Sequence, residues 1–412
     1  MFARLRTFSP QIWLLFAGTL LSSTGQALVW PFLTIFIREQ LDIPLSRITL
    51  LFTLQSIAGF AATATISPLM DRFGRKWLMV IGLVASSAVL IAMSQAATYP
   101  QWAALLPLYG VVNAIFRIGS YAMVADLVSA ERRAGTYALL RMGDNLGIAV
   151  GPALGGFLAA VAYELSYLLA AGVQLALAVF TSAVIAETLP RQSEGPAVMT
   201  AFSAGGGMGY GPLLRDRAFL AIWGLYILMQ IANSMVFVLL GVYVKENYAI
   251  AENRFGFIIG ANALMVVFFQ YAVTRISSRR PPLSTIAAGG VFQAAGLGVF
   301  AISRGFAAFL GGMIVFTVGE LLLVPTATAL VANIAPPQMR ARYMGVFSLS
   351  FRVGSGIGPV VGGLLNDHIA PAATWYGAMA FCGIAVAGFR LLARRGVEAA
   401  QPAAELQAGS RP

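Results

Sequence analysis

The sequence predicts an all-α membrane protein whose twelve transmembrane helices form two pseudo-symmetric six-helix bundles. Three observations predict it: an unusually apolar composition, a series of apolar runs of bilayer length, and one glycine–proline string that occurs twice. Of the 412 residues, 58% are hydrophobic and 10% charged, against roughly 25% charged in soluble domains. A water-soluble core of that apolarity is implausible, so lipid is the solvent.

Apolar runs of about twenty residues, divided by charge, proline or glycine, mark twelve spans. Their limits are 12–37, 48–70, 77–97, 102–127, 134–162, 165–186, 218–244, 255–276, 283–303, 306–333, 341–366 and 372–392. Arg4 and Arg6 before the first run suggest a signal peptide. The run continues through Trp30, Pro31 and Phe36, too long for a cleaved segment, so it reads as a retained span. The formal charge of +11 is unevenly spread: of 27 Lys and Arg, 19 lie in one set of alternate loops and termini. Only Arg38, Arg47, Lys245, Arg254 and Arg304 lie in the other set, and Arg117, Arg141 and Arg352 fall inside spans. The positive-inside rule then places both termini in the cytoplasm. The basic balance is a topology signal, and nucleic acid is discounted as a partner.

Residues 187–217 break the apolar pattern with Pro190, Pro196, Gly205, Gly206, Gly207, Gly209, Gly211 and Pro212. Such a segment buries too little to order itself and reads as a flexible cytoplasmic linker. It separates an N-terminal bundle (1–186) from a C-terminal bundle (218–395), with a disordered cytoplasmic tail at 396–412. The duplicated string sits in span 5 as Gly147, Gly151, Pro152, Gly155, Gly156 and in span 11 as Gly354, Gly358, Pro359, Gly362, Gly363, 207 residues apart. Glycines four residues apart share a helical face and admit a neighbouring helix closely. The proline removes a backbone donor, which predicts a bend. The span 11 copy is also explained by packing alone. The same offset aligns Ala125 with Ala332, Arg133 with Arg340 and Ala134 with Ala341.

The loop after span 2 reads Asp71-Arg72-Phe73-Gly74-Arg75-Lys76 and resembles the D-R-x-G-R-R/K signature of the major facilitator superfamily. With twelve spans and a central loop, the resemblance covers essentially the whole chain and implies the major facilitator fold. The span 5 string resembles the G-x-x-x-G-P-x-x-G-G motif found mainly in that superfamily's drug:proton antiporters. Three departures stand out. Ser67 replaces the usual opening glycine of the loop signature, no arginine lies near Leu108 and Tyr109, and span 1 offers Gln26 rather than an acid. The resemblance implies a cytoplasmic latch holding the outward-open state, with Asp71 at the amides that open span 11. Arg72 and Arg75 pair with Asp126 in that reading, and Gly74 permits the turn. The alternative is a solvated basic loop.

Charges inside spans are costly and point to function. Arg117 lies nine residues before Asp126, and Asp144 nine after Gly135, so both sit about 13 Å deep and are expected to meet. Arg141 lies one turn from Asp144. In the second half, Glu320 of span 10 and Arg352 of span 11 share a level. These are either two structural ion pairs or proton-coupling acids, Glu320 and Asp144, with arginine partners whose movement changes their proton affinity. Amides and aromatics (Gln26, Trp30, Asn113, Phe116, Tyr226, Gln230, Asn233, Asn262) suit a cavity for an amphipathic solute, although amides also bind membrane helices together.

The single Cys382 and single His368 exclude an internal disulfide and a histidine metal cluster. No phosphate-binding G-x-x-x-x-G-K-[ST] loop and no hydrolase motif occurs. The expectation is therefore no enzyme and no cofactor, with protons as the coupling ion. It is a secondary transporter that exports drug-like amphipathic small molecules by alternating access, as a monomer in a bacterial inner membrane. The alternatives are a proton-coupled transporter of sugars or other metabolites, and a non-transporting receptor or intramembrane enzyme.

Overall fold

The computed structural model describes residues 9–189, 211–336 and 339–396. Within them the chain is helical throughout, and the twelve spans are Pro10–Leu41, Leu45–Phe73, Arg75–Ser94, Tyr99–Leu127, Ala130–Ala159, Tyr163–Val184, Arg217–Tyr248, Glu252–Ser277, Pro282–Ile302, Phe306–Ile334, Arg340–His368 and Ala373–Arg394. Several outrun the apolar stretches that announced them. A helix keeps its hydrogen bonds whether or not its side chains are apolar, so it continues into the polar zone. Eleven spans meet a criterion of length and hydropathy for crossing a membrane; span 5 is long enough but carries Arg141, Asp144 and Asn145. Span 1 tightens into one 3₁₀ turn at Trp30–Phe32, where Pro31 supplies no N–H. Spans 5 and 11 run unbroken through Pro152 and Pro359.

The expected linker lies partly outside the described residues. Its two ends are ordered: Glu187 and Thr188 are hydrogen-bonded to the loop after span 2 and to span 4, and Gly211–Arg215 is a short helix. Leu213 of that helix is fully buried in an apolar core with Phe219, Met229, Leu283 and Leu330. The 396–412 tail, past Gly396, also lies outside the described residues.

The chain divides into two compact units, Met1–Glu194 with Phe237–Val267, and Gly195–Val236 with Phe268–Pro412. In the first unit, span 5 lies on span 1 along its glycines. A Cβ on Gly147 would stand 2.7 Å from the Leu20 carbonyl, and one on Gly151 or Gly155 would collide with Ala27 or Leu28. Gly156 turns to span 8 instead: a Cβ there would stand 2.7 Å from the Glu252 carbonyl, and one on Gly256 would meet the Pro152 carbonyl at 2.6 Å. At the arginine-poor end, Lys245 ion-pairs with Glu39 and Glu252, the Tyr163 hydroxyl donates to Glu252, and Arg38 meets Glu246 at 2.7 Å. These contacts hold 237–267 in the first unit. In the second unit the span 11 string lies on span 7: Gly354 faces Gln230, Gly358 faces Ile231, and the Ser234 hydroxyl donates to the Gly354 carbonyl at 2.7 Å. Each copy of the string therefore packs on the first span of its own half.

Gly151→Ala forces a methyl into Ala27 and should destabilise the protein by about 1–3 kcal/mol, read as a lower melting temperature of purified protein. Gly172→Ala, where a Cβ meets nothing within 4 Å, is the matched control and should be neutral. Equal melting of the two variants would reject the close contact.

Candidate functional site

Two clusters in the first unit hold most of the charged residues that the sequence singles out. One lies at the arginine-rich end. Gly74 has a φ of +93°, so the chain turns there in a conformation that favours glycine. The turn exposes the first amides of span 3, which four residues of helix geometry leave without partners. The Glu187 carboxylate takes them: the N–H groups of Arg75 and Lys76 donate at 3.1 and 3.0 Å, and those of Thr188 and Leu189 at 2.9 and 3.1 Å. Arg75 is buried; its guanidinium ion-pairs with Asp126, reaches Asp71 at 3.4 Å and donates to the Ala122 carbonyl at 3.2 Å. The Thr188 hydroxyl closes the ring on Asp126 at 2.9 Å. Arg72, expected beside Asp126, is instead exposed with its guanidinium over Phe73. Partial burial raises the Glu187 carboxyl, but the four amide hydrogen bonds outweigh it and hold its pKa below the ordinary 4.5.

The second cluster lies inside the spans. Asp144 accepts a hydrogen bond from the Ser23 hydroxyl of span 1 at 2.5 Å. The cause is the glycine face: Gly147, one turn on, presses against Ser23, and that fixes the rotation of span 5. The expected meeting of Asp144 with Arg117 does not form; among the described residues no ion pair joins Asp144 to Arg117 or Arg141. Equal depth sets height but not direction around the helix. Both arginines still lie near enough for their charges to act on Asp144 and on Tyr121. The Tyr121 ring stacks on Tyr137 with centroids 5.2 Å apart.

Arg117 and Arg141 are exposed side chains on membrane spans. Facing hydrocarbon, each would cost about 2.5–3.5 kcal/mol. Arg117 lies nine residues from the exposed Leu108, and Arg141 nine before the exposed Val150. At 100° per residue, nine residues are half a turn. Arg117 therefore lies opposite Leu108 and Arg141 opposite Val150, while the exposed Ile148, seven residues on, shares the Arg141 face.

In the second unit Glu320 and Arg352 are half-buried, and both have electrostatic or hydrogen-bonding partners. Glu320 follows Gly319, whose missing side chain lets span 10 touch the Gly289 backbone of span 9. Of the expected cavity residues, two belong to cores. Phe116 fills the space beside Gly18, and Tyr226 lies 4.6 Å from the Phe347 ring. Their size and apolarity suit a core as well as a cavity. Gln26 is half-buried and donates to Ser22 at 3.3 Å, Trp30 meets Phe52 edge-on, Asn113 and Asn233 are half-buried, and Gln230 and Asn262 are buried. Ser23, Tyr121, Tyr137, Glu187 and Thr188 were not singled out by sequence; four are neutral, and Glu187 sits in a stretch that reads as linker.

Ionisable groups inside helical membrane spans are costly and point to function. The comparisons give the family. The profile of the Major Facilitator Superfamily matches residues 15–319 and 222–411, and the chain belongs to that superfamily. It is a multi-pass membrane transporter of small molecules, not an enzyme. A Na(+), Li(+), K(+)/H(+) antiporter of Planococcus maritimus is 25% identical over 87% of this chain and 88% of its own. A multidrug resistance protein, MdtH of Aeromonas hydrophila, is 24% identical over 86% of this chain and 87% of its own. The crystal structure of the nucleoside transporter NupG superposes with a TM-score of 0.79 at 13% identity, over 93% of this chain and 99% of that one, which shows the shared fold.

Because its pKa is depressed, the Glu187 carboxylate stabilises the folded state fully above 4.5, and this contribution is lost as pH falls through the lower value. Glu187→Gln should therefore lower the melting temperature by an amount that is constant between about pH 5 and 8 and shrinks only as pH falls below 4.5. Melting curves of both proteins across that range provide the check. A gap that opens or closes near neutrality would contradict the assignment.

Proposed function

We propose that this transporter exports drug-like amphipathic small molecules in exchange for protons, by alternating access, as a monomer in a bacterial inner membrane with both termini in the cytoplasm. The observation that carries the reading is the span 5 string. It is of the antiporter type, and it packs on span 1 one turn from Asp144, so a carboxyl sits beside a glycine-lined helix contact. The relatives named for cation/proton exchange and for multidrug resistance support it. The excess of arginine in alternate loops supports the orientation. We assign the exchanged proton to Glu320, with Asp144 as the second acid of the cycle. The Asp71–Arg75–Asp126 cluster, tied down by Glu187, acts as a cytoplasmic latch.

The driving force is adequate. One pH unit supplies about 1.4 kcal/mol per proton and 100 mV about 2.3 kcal/mol per charge. Their sum of roughly 3.7 kcal/mol sustains a gradient of several hundredfold for a neutral solute exchanged one for one.

In inverted vesicles with an acidic lumen, adding an exported solute should discharge the pH gradient, whereas a cotransported solute gives a change of opposite sign. A panel of amphipathic dyes serves as the probe. Glu320→Gln should fold with unchanged melting and lose the solute-evoked proton movement. Retention of that movement would remove Glu320 from the role.

A further inference from the structure

Two arginines remain that the fold ties to no carboxylate or carbonyl. Among the described residues, Arg117 and Arg141 make no ion pair and no hydrogen bond. Both are exposed, inside spans 4 and 5; Leu108 lies on the opposite face of span 4 and Val150, Leu154 and Phe157 on the opposite face of span 5, while exposed Ile148 shares the Arg141 face. Asp144, the acid beside them among the described residues, accepts a hydrogen bond from Ser23. The group of Arg117, Arg141 and Asp144 carries a net charge of +1 when all three are ionised. Next to it, the stacked rings of Tyr121 and Tyr137 provide a half-buried aromatic surface.

We propose that Arg117 and Arg141 form the subsite for an acidic group of the carried solute, and that this solute is an amphipathic organic anion whose apolar body lies along Tyr121 and Tyr137. The proposal rests on the export reading above and specifies its substrate class. Guanidinium groups match carboxylate, sulfonate or phosphate oxygens in paired, charge-assisted hydrogen bonds. An amphipathic cation would meet a net positive surface with its single carboxylate already bonded. A dedicated cation site needs the opposite arrangement, an acid without neighbouring arginines.

The subsite also separates the tasks of the two acids. An anion between the arginines and a proton on Asp144 favour one another, because each removes repulsion that the other would meet. Solute and proton that bind together at one place are not exchanged there. The exchanged proton therefore belongs on Glu320, in the other half of the sequence, and Asp144 balances the charge of the empty subsite.

The test is equilibrium binding by purified full-length protein in nanodiscs, without any gradient. The probes are a matched set: 2-naphthoate, 2-naphthylmethylammonium and 2-naphthylmethanol. The naphthoate should bind about tenfold or more tightly than the ammonium, and Arg117→Gln or Arg141→Gln should weaken it about tenfold. Arg117→Lys and Arg141→Lys keep the charge and should lose less than the Gln variants. A preference for the ammonium, Gln variants that bind naphthoate unchanged, or no binding of any probe would each overturn the proposal. If the Gln variants do not fold, the charge preference of the unmodified protein and the Lys variants decide. Nanodiscs of phosphatidylcholine and of phosphatidylglycerol are compared, since a lipid headgroup carries the same chemistry; naphthoate binding in the first set is expected. Displacement by phosphatidylglycerol with no naphthoate affinity in phosphatidylcholine would assign the site to lipid and overturn the solute. Binding is read apart from proton movement, so a failure of exchange in vesicles leaves this result standing, and the converse also holds.

Discussion

Hydrocarbon offers no hydrogen-bond partner, and most of this structure follows from that constraint. Every backbone amide inside the membrane must be satisfied within its own helix, which is why the described chain is helix between short loops. The same rule governs side chains. Thr19, Thr24, Ser120, Thr317 and Thr326 return their hydroxyls to the carbonyl one turn back. Asp144 accepts a hydrogen bond from Ser23 of span 1. Outside the spans, the amides that open span 3 are met by the exposed Glu187 carboxylate.

A second consequence concerns how the helices hold together. Lipid tails are as apolar as leucine, so burying apolar area gives little drive for one span to join another. Close van der Waals contact must supply it, and close contact requires small residues. The strings in spans 5 and 11 provide this, each against the first span of its own half. Ser234 adds a hydrogen bond to the Gly354 carbonyl at one of the two. Because such a face admits only one rotation, it also aims the polar groups beside it. Asp144 reaches Ser23 for this reason, and removal of the glycine contact would leave it without a fixed direction.

Much of this was legible in the sequence, and the parts that were not share a cause. Periodicity and composition announce twelve spans because a bilayer imposes one length and one polarity. The twinned strings announce the duplication because the same backbone contact is needed twice. Counting residues from a loop gives height along a helix but not azimuth: Asp144 is turned to Ser23 by packing that no single helix encodes. Glu187 was hidden because it follows the last apolar residue of span 6 and precedes Pro190, so its surroundings read as linker. Phe116 and Tyr226 were placed in a cavity because an aromatic ring suits a solute and a core equally; burial alone distinguishes them.

Duplication makes the scaffold symmetric, but the charges are not. By the 207-residue offset, Glu320 stands where the first half has Asn113, and Arg352 where it has Asn145. The contacts that must be alike for two bundles to fold alike, the glycine faces, have been kept in register. The groups that handle charge have diverged. In the proposed reading this divergence lets solute and proton be held by different groups, an arginine pair in the first half and an acid in the second, on a frame whose helix contacts stay in register.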